Sequence, residues 1–188
     1  SSFFIDNYVV KAVMHVNTKR LITSRVIIFI GVAGCGKSTV GAALAARLNV
    51  PFLDADDYHS EENIAKMSQR IPLTDEDRWP WLDTLSAALE EQITNNEIVV
   101  SACSALLRIY RDHLVAMIGE PIQFVFLNGS RDTIAKRITA RINHFMTTSL
   151  LDSQFQILEP PGADENVIFL DIGAPVLELA DVIYKQLG

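Results

Sequence analysis

The stretch Gly31-Val-Ala-Gly34-Cys35-Gly36-Lys37-Ser38 constrains this chain more than any other. It follows an apolar run, Arg25-Val-Ile-Ile-Phe-Ile30, and opens a helix-like segment, Thr39 to Leu48. Strand, glycine-rich turn and helix in that order form a phosphate-binding loop. Glycines let successive backbone N–H groups curl around a polyphosphate, Lys37 neutralises the outer phosphates, and the Ser38 hydroxyl can ligate Mg²⁺. The helix behind presents its positive end to the same anion. Gly31, Val32, Ala33, Gly34, Cys35, Gly36, Lys37, Ser38 and Thr39 are therefore the expected ATP contacts, with Lys37 also acting in catalysis.

The rest of the chain alternates. Val40, Leu44 and Leu48 recur on one helix face, and Pro51-Phe-Leu53 reads as a short strand ending at Asp54. A helical stretch near Glu61 to Gln69 and a turn-like Ile71-Pro-Leu-Thr74 precede a helical period at Leu82, Leu85, Leu89 and Ile93, ended by Asn95-Asn96. Ile98–Ala102 and Ile122–Leu127 are strand candidates around a helix near Leu106 to Ile118. Val167–Leu170 is a fifth strand, and Val176, Leu179, Ile183 and Leu187 mark a closing helix. This order predicts an α/β fold of three layers, a five-stranded parallel sheet with right-handed crossovers and helices on both faces. Residues 25–188 form the domain, and weak periodicity with Pro160-Pro161-Gly162 predicts a mobile lid at about 142–163. Ser1 to Ser24 reads as an extension, an edge strand or a docked arm.

At 188 residues the chain can bury about 70% of its unfolded surface. Its net charge of −7, with −10 falling on residues 26–188, argues against a nucleic-acid partner. No apolar run is long enough to span a membrane. Two cysteines, Cys35 and Cys103, argue against a disulfide framework and fit a reducing compartment. Oxidation of Cys35 is expected to block the nucleotide site.

Asp54 and Asp56 follow a strand at the sheet rim where open α/β folds bind ligands. Alternate residues of an extended chain share a face, so both carboxylates could enter one cleft. A kinase needs one acid at Mg²⁺ and another to take the proton of the attacking hydroxyl; Asp54 suits the first role and Asp56 the second. The same acids could instead cap the next helix, and Asp57 is expected to do so. Arg137 and Arg141, four apart, could clamp phosphates from one helix face or remain solvated. Spacing alone leaves His59 and His144 open between cleft and surface.

These features point to a phosphoryl transferase acting on a small hydroxyl-bearing molecule. Several blocks then narrow it: Phe52-Leu-Asp-Ala-Asp-Asp-Tyr-His59, Glu62-Asn-Ile-Ala-Lys-Met67, Ile71-Pro-Leu-Thr-Asp-Glu-Asp-Arg-Trp-Pro-Trp-Leu82, Ala102-Cys-Ser-Ala-Leu106, Tyr110-Arg-Asp112, His144-Phe-Met146 and Ser149-Leu-Leu-Asp-Ser-Gln-Phe155. In this order they resemble the gluconokinase family. The resemblance implies transfer from MgATP to the terminal hydroxyl of D-gluconate, giving 6-phosphogluconate and ADP. It also implies a P-loop fold like that of nucleoside monophosphate kinases and shikimate kinase, a small-molecule substrate, a cytoplasmic setting and possible homodimers. It places Asp56, Asp57, His59, Lys66, Arg78, Arg111, His144 and Gln154 on the acceptor side, with Arg78 and Arg111 facing the carboxylate and Lys66, His144 and Gln154 contacting hydroxyls or phosphate as the lid closes. The helix spacing, separately, sets Arg137 and Arg141 on ATP, Arg141 also in catalysis.

The chain departs from that pattern at Ala33 and Cys35, at Arg70 in place of a glycine, at Ile142 and Asn143, and at Leu107 and Ile109, which interrupt a basic pair of which Arg108 remains. The alternatives are a kinase for a related sugar acid or small hydroxy acid, and a catalytically weak nucleotide-binding regulatory protein.

Overall fold

An apolar run without a polar break suits a strand covered on both faces, and Val26–Ile30 forms one, β1, in the middle of the sheet. The computed structural model describes residues 22–140 and 148–187. β2 (Phe52–Asp54), β3 (Val99–Ala102), β4 (Ile122–Asn128) and β5 (Val167–Asp171) complete a parallel sheet of order β2-β3-β1-β4-β5. The helices are α1 (Lys37–Leu48), α2 (Glu61–Ser68), α3 (Asp75–Asn95), α4 (Arg108–Met117), α5 (Arg131–Ala140), α6 (Thr148–Ile157) and α7 (Val176–Tyr184), with a 3₁₀ turn at Ala55–Tyr58.

Strand alternation sorts β1 between two cores. Ile27 and Phe29 join Val40 and Leu44 of α1, Ile134 of α5, Leu151 of α6 and Leu179 of α7. Val26, Ile28 and Ile30 face Leu82, Leu85 and Leu89 of α3 and Leu114 of α4. The three layers and five parallel strands expected from the alternation are therefore present. Because the chain passes from β1 to one side of the sheet and later to the other, the carboxyl end of β1 is where a ligand crevice opens.

Four boundaries differ from those expected. α3 starts at Asp75, well before Leu82, because Thr74 and Asp77 form a reciprocal capping box that supplies the first-turn amides with partners. Pro80 lies inside that helix. α7 ends at Tyr184, so Leu187 is not on it; Leu187 pairs in parallel with Ile22, whose N–H donates to Gln186 O at 2.6 Å. Ile22 and Ser24, assigned to the extension, are buried in the domain, and residues 1–21 lie outside the described residues. Of the expected lid, residues 142–147 also lie outside them, 148–157 form α6, and the segment beyond is tied to α4. There Glu159 N donates to Leu106 O at 2.9 Å, and Arg108 N donates to Glu159 Oε2 at 2.7 Å.

α2 ends in a left-handed residue that the sequence fills with Arg70, φ 60°. Ile71 N donates to Lys66 O at 2.8 Å and Arg70 N to Met67 O at 3.0 Å, the two bonds of a Schellman stop that glycine favours. A side chain there costs about 1–2 kcal/mol. Glycine carries more unfolded-state entropy, about 0.5–1 kcal/mol. Arg70→Gly is expected to stabilise the chain by about 0.5–1 kcal/mol, read as a higher urea midpoint with unchanged slope; a lower midpoint counts against strain at this position.

Candidate active site

The phosphate loop hangs from the end of β1, where Gly31 N donates to Ser104 O at 3.2 Å. Gly36 caps α1 at φ 100° with no side-chain cap, and the first turn of that helix holds no acid. The helix end is thus left positive toward an anion. Lys37 Nζ donates to Val32 O at 3.0 Å. Gly34 is required by close approach: a Cβ there would sit 2.6 Å from Ile138 of α5. That approach carries Arg137 to the loop, its Nη1 3.8 Å from where a Gly36 Cβ would lie and its Nη2 donating to Ile172 O. Arg141 lies outside the described residues. Cys35 is fully buried, so the expected oxidative block needs the loop to open first.

Across the crevice, β2 delivers Asp54. Its Oδ2 accepts the Ser38 hydroxyl at 2.5 Å, and its Oδ1 accepts Asp56 N at 3.0 Å. One carboxylate therefore joins the loop to the acid turn. The two acids meet through a 3₁₀ turn rather than through alternation on an extended chain, since Asp54 caps Ala55–Tyr58. Asp57, expected as the cap of the next helix, lies inside that turn; Ser60 caps α2, accepting Asn63 N at 3.1 Å. Asp56 keeps an exposed flank, but crowding by protein, then the Asp54 charge, push its carboxyl above the ordinary aspartate range. Lys37 opposes them and Asp57 adds to them. Desolvation pushes the buried Cys103 thiol up to about 12.

Among the described residues no group of three or more His, Cys, Asp or Glu side chains could hold a metal ion. Ser38 and Asp54 supply neighbouring oxygens, which suits Mg²⁺, an ion that keeps several waters and takes its remaining ligands from phosphates. The donor set fits the expected ion.

The acid turn is braced by α3. Trp81 Nε1 donates to Ala55 O at 2.7 Å, and His59 stacks on the indole at 4.2 Å. His59 Nδ1 meets Asn63 Nδ2 at 3.3 Å. Burial and then the Arg78 charge lower the His59 pKa, so its imidazole is neutral at pH 7. His59, Asn63, Asp77 and Trp81 help to wall a concavity of about 390 Å³ between α2 and α3. Arg78 Nη1 donates to Tyr110 Oη at 2.9 Å, and that hydroxyl donates to Asp75 at 2.7 Å. Tyr110 and Asp75 were not singled out from the sequence; an aromatic hydroxyl and a first-turn acid have no spacing signature.

Two expected acceptor cations already hold carboxylates. Lys66 Nζ donates to both Asp77 oxygens at 2.7 and 2.8 Å, a staple between α2 and α3 that holds the Asp77 carboxyl down at about 2. Arg111 is 1% exposed and pairs with Glu165 at 2.6 Å, while its Nη1 donates to Ala105 O at 3.0 Å. It is a buried structural charge, not a free carboxylate fork. Arg108 is held by Asp164, and Ile109 is exposed. Gln154 Oε1 accepts Ala33 N at 2.7 Å, on the phosphate loop. His144 lies outside the described residues.

Residues 33–157 match the sequence model of the shikimate kinase family. A probable gluconokinase of Mus musculus is 43% identical over 178 residues, covering 86% of this chain and 97% of that protein. The chain belongs to the gluconokinase family. The thermosensitive gluconokinase of Escherichia coli is 43% identical over 156 residues, 82% of each chain. A crystal structure of a gluconokinase from Sinorhizobium meliloti, 43% identical, superposes with a TM-score of 0.72 over 90% of this chain and 91% of that one. The gluconokinase-family fold thus accounts for the crevice between the loop and the acid turn, and a family of kinases implies ATP as phosphoryl donor.

Proposed function

We propose that this chain phosphorylates D-gluconate with MgATP, yielding 6-phospho-D-gluconate and ADP. The observation that carries the reading is the contact of Ser38 with Asp54, which puts the acid turn across one crevice from the phosphate loop. Ser38 and Asp54 would hold Mg²⁺, which supplies charge neutralisation on the phosphates. Lys37 and the loop amides stabilise the negative oxygens of the transferring group. Asp56 orients the acceptor hydroxyl and takes its proton as the new oxygen–phosphorus bond forms and the bond to the ADP oxygen breaks. Arg78 and the neutral His59 supply donors to the sugar acid. The two cysteines among the described residues are free and buried, consistent with a cytoplasmic enzyme.

A coupled assay of ADP release over gluconate, shikimate, ribose and nucleoside monophosphates tests this. Turnover of gluconate alone supports it, and turnover of another acceptor with gluconate idle overturns it. A kinase for a related sugar acid is favoured by one observation, the engagement of Arg111 by Glu165, which takes that cation from the acceptor side. Lys37→Ala is expected to lower turnover by about 10²–10³-fold and to raise the KM for ATP, because it deletes a charged donor aimed at the phosphates. A variant with both constants unchanged excludes Lys37 from the site.

A further inference from the structure

The peptide plane between Val32 and Ala33 is held at both edges. Its carbonyl accepts Lys37 Nζ at 3.0 Å and Cys35 N at 3.3 Å. Its N–H, which in a trans peptide points the opposite way, donates to Gln154 Oε1 at 2.7 Å, from a residue 121 positions away in the chain. Gln154 is itself fixed. Leu151, three residues earlier on the same face of α6, is fully buried, and Arg131 of α5 donates to Asp152 at 2.6 and 3.1 Å. α5 in turn presses Ile138 against Gly34 of the loop.

We propose that Gln154 is a positioning residue for the phosphate loop. By fixing the Ala33 N–H it sets the orientation of the Val32 carbonyl, and that carbonyl seats the Lys37 ammonium. Gln154 thereby acts on the nucleotide through the loop, a different role from contact with the acceptor. The consequence for turnover rests on the kinase reading above; the consequence for nucleotide affinity does not.

The test uses the full chain. Gln154→Met keeps side-chain length and apolar packing but removes the acceptor oxygen. Titration with ADP in the absence of any acceptor is expected to show about tenfold weaker binding, equal to about 1.4 kcal/mol. The KM for ATP rises in proportion while the KM for gluconate and the thermal midpoint hold. In a ¹⁵N-resolved NMR spectrum the Ala33 amide proton moves upfield in Gln154→Met and stays in place in Gln154→Glu, whose carboxylate keeps an acceptor at the same reach. ADP affinity within twofold of the parent, or an Ala33 resonance indifferent to Gln154→Met, overturns the proposal. A raised gluconate KM with intact ADP affinity also overturns it, since Gln154 then serves the acceptor. If the parent chain fails to turn over gluconate, the functional reading falls while the ADP and NMR results still decide this one.

Discussion

Asp56→Asn is expected to lower turnover by about 10²–10⁴-fold and to leave ADP affinity near that of the parent. The amide keeps the shape and a hydrogen-bonding oxygen but cannot take the acceptor proton. Asp54, which joins the turn to Ser38, is untouched, so the nucleotide side stays assembled. Single-turnover rates beside an ADP titration check both halves, and a fully active variant removes Asp56 from the base role. The pH dependence follows from the raised carboxyl. A base must be ionised to act, so the acid limb of kcat/KM falls at a pH above the ordinary aspartate value of 3.8. Asp57 is one of the charges raising it, and Asp57→Asn is expected to move that limb to lower pH.

The stability sign is opposite to that of a paired aspartate. With its folded pKa above the unfolded value, Asp56 lets the folded state hold its proton longer, and stability is lost as pH rises through that window. At pH 7 the charge opposes folding. Asp56→Asn is therefore expected to unfold at a slightly higher temperature while losing its rate, the exposed flank of the residue keeping the increment small.

Arg111→Ala is expected to destabilise the fold by about 3–5 kcal/mol, because it strands the Glu165 carboxylate, 7% exposed, without its partner. Arg111 also donates to the carbonyls of Ala105 and Leu106, at 3.0 and 3.3 Å, across the turn in which Ala105 takes φ 40°. Glu165→Ala is expected to be comparably damaging, since it leaves the buried guanidinium uncompensated. The paired replacement Arg111→Met with Glu165→Leu is expected to recover most of the loss, as apolar groups of similar volume need no partner. Denaturant midpoints check all three. If Arg111→Ala keeps its midpoint and instead raises the KM for gluconate, the guanidinium serves the acceptor after all. Arg111 is the main reason the Glu165 carboxyl is held below its usual range. The pair's stability is present above the unfolded pKa of Glu165 and lost as pH falls through the lowered value.

The nucleotide half was legible because its signal is contiguous. Gly31 to Ser38 states the loop, the run before it states a buried strand, and Val40 and Leu44 state the helix face. The helix start at Asp75 was also written locally, in Thr74-Asp-Glu-Asp77, but hydrophobic period first registers at Leu82 and the capping box carries no apolar residue. The acceptor side was harder. Arg111 and Lys66 occupy family positions, and a sequence pattern records that a cation stands there without recording whether a carboxylate already holds it. Glu165 comes from a loop 54 residues beyond Arg111. Tyr110, reached by Arg78 from the neighbouring helix, is likewise visible only once α3 and α4 lie side by side.

What residue order determined unaided was the architecture and the loop on which the proposed donor site rests, since alternation, periodicity and a glycine-rich turn are short-range properties that backbone sterics and burial convert directly into strands, helices and a tight turn. Only the packed chain decided which charges remain available to a ligand. An ion pair or a latch such as Gln154 with Ala33 forms between segments that share no local pattern, and its strength depends on burial that does not exist until the layers close.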